Sequence, residues 1–181
     1  HRRDEIKAKG GRKCSYCGER GHTTRTCETK KQDRVRLIET LARERKLGLK
    51  RLNELGWGVG ALFERASRWT EQKAIYMVDK IEWEHWDDSD MVTLRGLNVA
   101  KAVDAPQVAV GSHDWKHPRQ VSITLALTRE EQRITPICPT TTPQKAPESF
   151  LNGTKFSENQ YFPKGSKRPY VHERIEETGR R

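Results

Sequence analysis

Residues 14–27 read Cys-Ser-Tyr-Cys-Gly-Glu-Arg-Gly-His-Thr-Thr-Arg-Thr-Cys, a Cys-x2-Cys-x4-His-x4-Cys spacing that sets three thiols and one imidazole in fourteen residues. So short a segment cannot bury enough apolar surface to fold by itself. A metal ion held by Cys14, Cys17, His22 and Cys27 supplies what burial cannot, on the order of 10–16 kcal/mol in zinc peptides. Three thiolates and one imidazole complete a tetrahedral shell with no open position for water. That marks one structural ion, and thiolate-rich ligation selects zinc over harder cations. Gly18 and Gly21 suit the tight turns such a loop needs. Three of the four cysteines fall in this cluster. The pattern therefore reads as metal ligation in a reducing compartment, not as a disulfide framework. The expected location is intracellular, in cytoplasm or nucleus, with a virion also admitted.

The spacing resembles the CCHC zinc-knuckle family, found in retroviral nucleocapsids and in many RNA- and DNA-associated proteins. The end of the motif, Gly21-His22-Thr23-Thr24-Arg25-Thr26-Cys27, is similar to the Gly-His-x-x-Arg-Thr-Cys variety that occurs in plant DNA-associated proteins and in tailed-phage proteins. The match covers residues 14–27 alone, less than a tenth of the chain. The resemblance implies zinc ligation at the four matching positions and contact with single-stranded nucleic acid. Members that bind RNA carry apolar or aromatic residues just after the first Cys and just after the His. Here those positions are Ser15 and Thr23, and Tyr16 stands one residue away. Tyr16 is the candidate for stacking on a base, a contact of about 1–3 kcal/mol. Arg12, Lys13, Arg20 and Arg25 are the candidates for phosphates. The alternative is a knuckle that braces a protein interface.

Charge points the same way. The net charge is +10, and residues 1–60 hold 17 Lys/Arg against 8 Asp/Glu, while residues 61–120 hold 8 against 10. A basic N-terminal third beside a near-neutral middle suggests a polyanion at one end. Residues 1–13 read as a basic arm and 14–28 as the knuckle. Residues 29–56 read as a basic amphipathic helix, with Val35, Ile38, Leu41 and Ala42 on one face. Gly48 is expected to break or kink that helix and Gly56 to end it.

Residues 57–128 have β character. Val59–Phe63, Lys73–Glu84, Met91–Leu97, Val108–Gly111 and Val121–Leu127 are the candidate strands. The alternation of Val121, Ile123, Leu125 and Leu127 with Ser122, Thr124 and Ala126 is the cleanest. Five short strands suit a small antiparallel barrel, SH3-like or OB-like. Residues 129–181 carry Pro136, Pro139, Pro143, Pro147, Pro163 and Pro169 with few apolar residues between them. They read as an extended tail that docks onto protein partners in a larger assembly. The fold class is therefore α+β: knuckle and helix, small β-barrel, extended proline-rich tail.

Other constellations carry less. Gly56-Trp57-Gly58-Val59-Gly60 lacks the preceding strand a phosphate cradle needs. His113, Asp114 and His117 form a polar loop beside Pro118 rather than an acid–base set. Cys138 has no base near it in sequence. Glu82, Glu84, Asp87, Asp88 and Asp90 read as a solvated turn, and Trp69, Tyr76, Trp83 and Trp86 as packing rather than a ligand cage. No apolar run approaches the ~18 residues of a membrane span, and no signal-peptide pattern is present. The expectation is a non-enzymatic, zinc-containing accessory subunit that binds nucleic acid. The alternative is a structural or interaction subunit, of a viral particle or a transcription complex, whose knuckle contacts protein.

Overall fold

The computed structural model describes residues 12–66, 73–86, 91–100, 120–127 and 134–180. The arm up to residue 11, the candidate strand Val108–Gly111, the His113–His117 loop, Trp69 and the acids at 87–90 lie outside them. Within them the chain is α+β, with helices packed on a curled, half-barrel antiparallel sheet.

After the loop that carries Cys14, Cys17 and His22, a short 3-10 turn, Thr24–Thr26, leads into helix α1, which runs without interruption over Glu28–Leu55. Its buried positions are Asp33, Leu37, Leu41, Glu44, Arg45, Gly48 and Leu52, a three- and four-residue repeat down one face. Val35, expected on that face, is 54% exposed, and Leu37 takes its place inside. Gly48 does not break α1; good helix formers on both sides outweigh its cost of about 1 kcal/mol. The helix ends at Gly56, whose φ of 70° is left-handed and whose N–H bonds back to Asn53. A Cβ there would sit 2.5 Å from that of Pro139, so both the turn and the neighbour demand glycine.

Strands β1 (Leu62–Ala66), β2 (Lys73–Ile81), β3 (Met91–Ala100), β4 (Gln120–Ala126) and β5 (Ile134–Cys138) form one sheet in the order β4-β3-β2-β1-β5. All neighbours are antiparallel. Among the described residues β4 and β5 are the two edges and do not pair with each other, so the sheet stays open. In β4 the expected alternation holds, with Ile123 and Leu125 buried and Ser122 and Thr124 exposed, and Leu127 just past its end is buried as well. In β2 a simple period of two fails. Val78 and Ile81 are both buried, because a bulge between Val78 and Lys80 shifts the register against β3. One core gathers Phe63, Val78, Ile81, Trp86, Val92, Leu94, Ile123 and Leu125 from the sheet region, Leu52 from α1 and Phe150 from the C-terminal segment.

That segment is not the extended tail its prolines suggest. It supplies β5 and then α2 (Glu148–Leu151), α3 (Glu158–Tyr161) and α4 (Arg168–Arg180). Pro136 is tolerated because β5 is an edge strand, and Pro169 because it lies in the first turn of α4. Widely spaced apolar residues do the anchoring: Phe150, Tyr161, Phe162, Val171 and Ile175 are each at most 6% exposed. Leu37, Leu41, Tyr161, Phe162, Val171 and Ile175 form a second core with Cys14, Tyr16 and Cys27. The segment therefore packs on its own helix, and its order requires no larger assembly. Gly153, at φ 73°, lets the chain pass so close to α1 that a Cβ would lie 2.1 Å from the Ile38 carbonyl oxygen. Gly153→Ala is expected to destabilise the protein by about 2 kcal/mol or more, read as a lower urea midpoint at unchanged slope.

Candidate metal centre

The ligand loop is built by turns and backbone bonds. Lys13 and Arg20 face each other in an antiparallel bridge. Within it the Cys14 N–H donates to the Glu19 carbonyl at 2.7 Å and the Gly18 N–H to the Cys14 carbonyl at 2.9 Å. Gly18 and Gly21 have φ of 81° and 95°, and nothing lies within 4 Å of where a Cβ would stand. Glycine is needed there for the backbone conformation, not for space. Thr23 and Thr26 bond reciprocally across the 3-10 turn, which delivers Cys27 as the N-cap residue of α1.

This geometry brings all four expected ligands together. One donor atom each from Cys14, Cys17, His22 and Cys27 lies within 4.8 Å of every other, and Cys17 Sγ and His22 Nε2 stand 3.2 Å apart. Cys14 and Cys27 are buried, Cys17 and His22 half-buried. The backbone of Cys17 foremost, opposed by desolvation and helped by the backbone of Tyr16, holds the Cys14 thiol down at about 6. A thiolate is the metal-binding form of cysteine. The four residues could hold a metal ion.

The residues expected to meet nucleic acid divide. Arg12, Lys13, Arg20 and Arg25 are all exposed. Tyr16 is 3% exposed and lies in the core shared with Leu37, Tyr161 and Val171. A ring so covered offers no face to a base, so Tyr16 is not a stacking platform. Its hydroxyl donates to Asp33 Oδ2 at 2.8 Å, and burial, then this bond, push its pKa up. Asp33 is itself 3% exposed and also accepts from Arg168 Nε at 3.1 Å. The Arg168 backbone N–H returns to the Tyr16 carbonyl at 3.1 Å. The cysteine-bearing loop, α1 and α4 thus meet on one carboxylate.

Much of the helix's basic charge is engaged within the molecule. Arg34 pairs with Glu158 and lies over the Phe156 ring at 5.1 Å. Arg36 bonds His172 at 2.9 Å and lies 3.6 Å from Glu176. Arg45 is buried over Phe150 at 4.5 Å. Of the aromatic residues weighed as a cage, the three that are described pack with the sheet core: Trp83 and Trp86 stack at 5.4 Å, both against Phe150, while Tyr76 stacks on Phe63. Cys138 is exposed at the end of β5. Asp33 and Arg168 carry no signal of their contact in the sequence: an Asp among the charged residues of a basic helix reads as solvated, and Arg168 follows a lysine in a proline-rich stretch.

Comparison with protein-family models, with curated proteins and with solved structures finds no match. No helix among the described residues is long and apolar enough to cross a membrane. Tyr16→Phe removes one donor from a buried carboxylate without opening a cavity. It is expected to cost about 1–3 kcal/mol in chemical denaturation.

Proposed function

We propose that this is a non-enzymatic, zinc-containing protein whose knuckle binds single-stranded nucleic acid through phosphate contacts, as an accessory subunit of a larger assembly. For the metal, support comes from the donor set. A tetrahedral zinc with three sulfurs and one nitrogen spaces its ligands about 3.5–3.8 Å apart. The four donor atoms, mutually within 4.8 Å, need only a small contraction to reach that shell. Zinc there would be structural: it fixes the loop and leaves no position for a substrate. These features, with the motif's resemblance, favour a CCHC knuckle.

The observation that carries the nucleic-acid proposal is the state of the four cations around the loop. Arg12, Lys13, Arg20 and Arg25 are exposed and enter no ion pair with the described residues, while Arg34, Arg36 and Arg45 are held by the fold. Exposed cations clustered on a loop that a bound metal would fix suit a polyanion. With Tyr16 buried, binding would draw on the backbone rather than the bases, and would discriminate little between sequences.

The alternative, an interaction or structural subunit whose knuckle clips protein, is favoured by that same burial of Tyr16 together with Ser15 and Thr23. Both proposals place the protein in a reducing compartment.

Changing Arg12, Lys13, Arg20 and Arg25 together to Ala is the test. Wild type should bind a labelled single-stranded oligonucleotide in fluorescence anisotropy, with log affinity falling linearly in log salt. The slope should shrink by about 0.7 for each lost phosphate contact. Equal affinity and slope in wild type and variant would discard the nucleic-acid proposal and leave the protein clip. Chelation should abolish binding in wild type.

A further inference from the structure

Tyr16 lies between two metal ligands in sequence, yet both ends of the residue are committed elsewhere. Its carbonyl accepts the Arg168 backbone N–H at 3.1 Å, and its hydroxyl donates to Asp33 at 2.8 Å. The Arg168 guanidinium closes the triangle on the same Asp33 oxygen at 3.1 Å. We infer that the metal centre and the C-terminal helix α4 are reciprocally coupled: α4 docks fully only on a metal-loaded knuckle, and α4 in turn retains the metal. The inference rests on the metal proposal above and not on nucleic-acid binding.

The loop from Cys14 to Cys27 is held by a short bridge and a few backbone bonds, and little of it is buried, since Ser15, Gly18, Glu19, Arg20, Gly21 and Thr23 are exposed. Coordination would supply most of what keeps those bonds, and with them the position of Tyr16, in place. That loop is one wall of the core that receives α4, where Cys14, Tyr16 and Cys27 stand with Leu37, Leu41, Val171 and Ile175. Helix α4 has only 13 residues, a length at which an isolated helix is marginal in water. Docking must hold it, through Val171 and Ile175 and through the polar triangle. Loss of the ion frees the loop, removes the backbone acceptor at the first turn of α4, and leaves Asp33 with one of its two donors. Thermodynamic linkage makes the effect mutual. Asp33, Tyr16 and Arg168 are then positioning residues for the metal, acting through Cys14 and Cys17 without touching the ion.

Hydrogen exchange on the full chain, zinc-loaded and chelated, tests the first half. Amides of residues 171–180 should lose protection by about tenfold or more on chelation, while those of β2 and β3 keep theirs. Unchanged protection of α4 overturns the inference. The second half is read from the rate of zinc transfer to a chromophoric chelator. Tyr16→Phe and Asp33→Asn should each speed it by about fivefold or more. Leu94→Ala, in the separate sheet core, should lower stability without speeding it. Wild-type rates in the first two variants, or an equal acceleration in Leu94→Ala, overturn the inference. Elemental analysis keeps the levels apart: purified protein without zinc defeats the metal proposal itself, whereas bound zinc with an indifferent α4 defeats only the coupling.

Discussion

The Asp33 carboxylate is 3% exposed, and three segments distant in sequence converge on it. A buried carboxylate without partners costs several kcal/mol, and one with two donors is a strong geometric constraint. Tyr16 and Arg168 provide those donors, so the cysteine-bearing loop and the C-terminal helix must both be in place for Asp33 to be satisfied. Around this point the second core assembles, and the helix carrying Asp33 continues to Leu52, which belongs to the sheet core. One long helix thereby joins two cores, one beside the ligand loop and one under the half-barrel.

The sequence exposes features set by local chemistry and hides those set by distant partners. Ligand spacing and glycine placement alone foretold that Cys14, Cys17, His22 and Cys27 would come together. The alternation in Val121–Leu127 likewise marked a strand with one buried face. The register of α1's buried face was harder to see, because Leu37 and Val35 are equally apolar and only the arrival of the C-terminal segment decides between them. Strand β5 escaped notice because Pro136 argues against any strand except an edge, and edge position is a property of the sheet. Helices α3 and α4 are anchored by apolar residues too sparse to form a periodic stripe, so their composition resembles an unfolded tail. Tyr16 was misjudged for a related reason: an aromatic residue beside a basic loop suits a base as well as a core, and the hydroxyl's partner lies seventeen residues on.

Formal charge was a coarse guide as well. The N-terminal third is strongly basic, yet the cations on α1 serve different ends. Arg34 and Arg36 bind the C-terminal segment, Arg45 is stacked inside, and Lys31 and Lys50 lie opposite Glu28 and Glu54 along the helix. On the candidate ligand loop, by contrast, Arg12, Lys13, Arg20 and Arg25 are exposed and enter no ion pair with the described residues. The proposed polyanion contact rests on those four, on a segment whose shape a bound metal would help to fix.

The ion pair of Asp33 with Arg168 spans 135 residues of chain. During synthesis the N-terminal loop and α1 leave the ribosome long before the helix that covers them. At 5–20 residues per second that interval is on the order of ten seconds. Through it Leu37, Leu41 and the Asp33 carboxylate lack the segment that covers them. The loop and the start of the long helix are thus completed by residues made much later, and a premature stop upstream of residue 168 would release a product with its second core open to solvent.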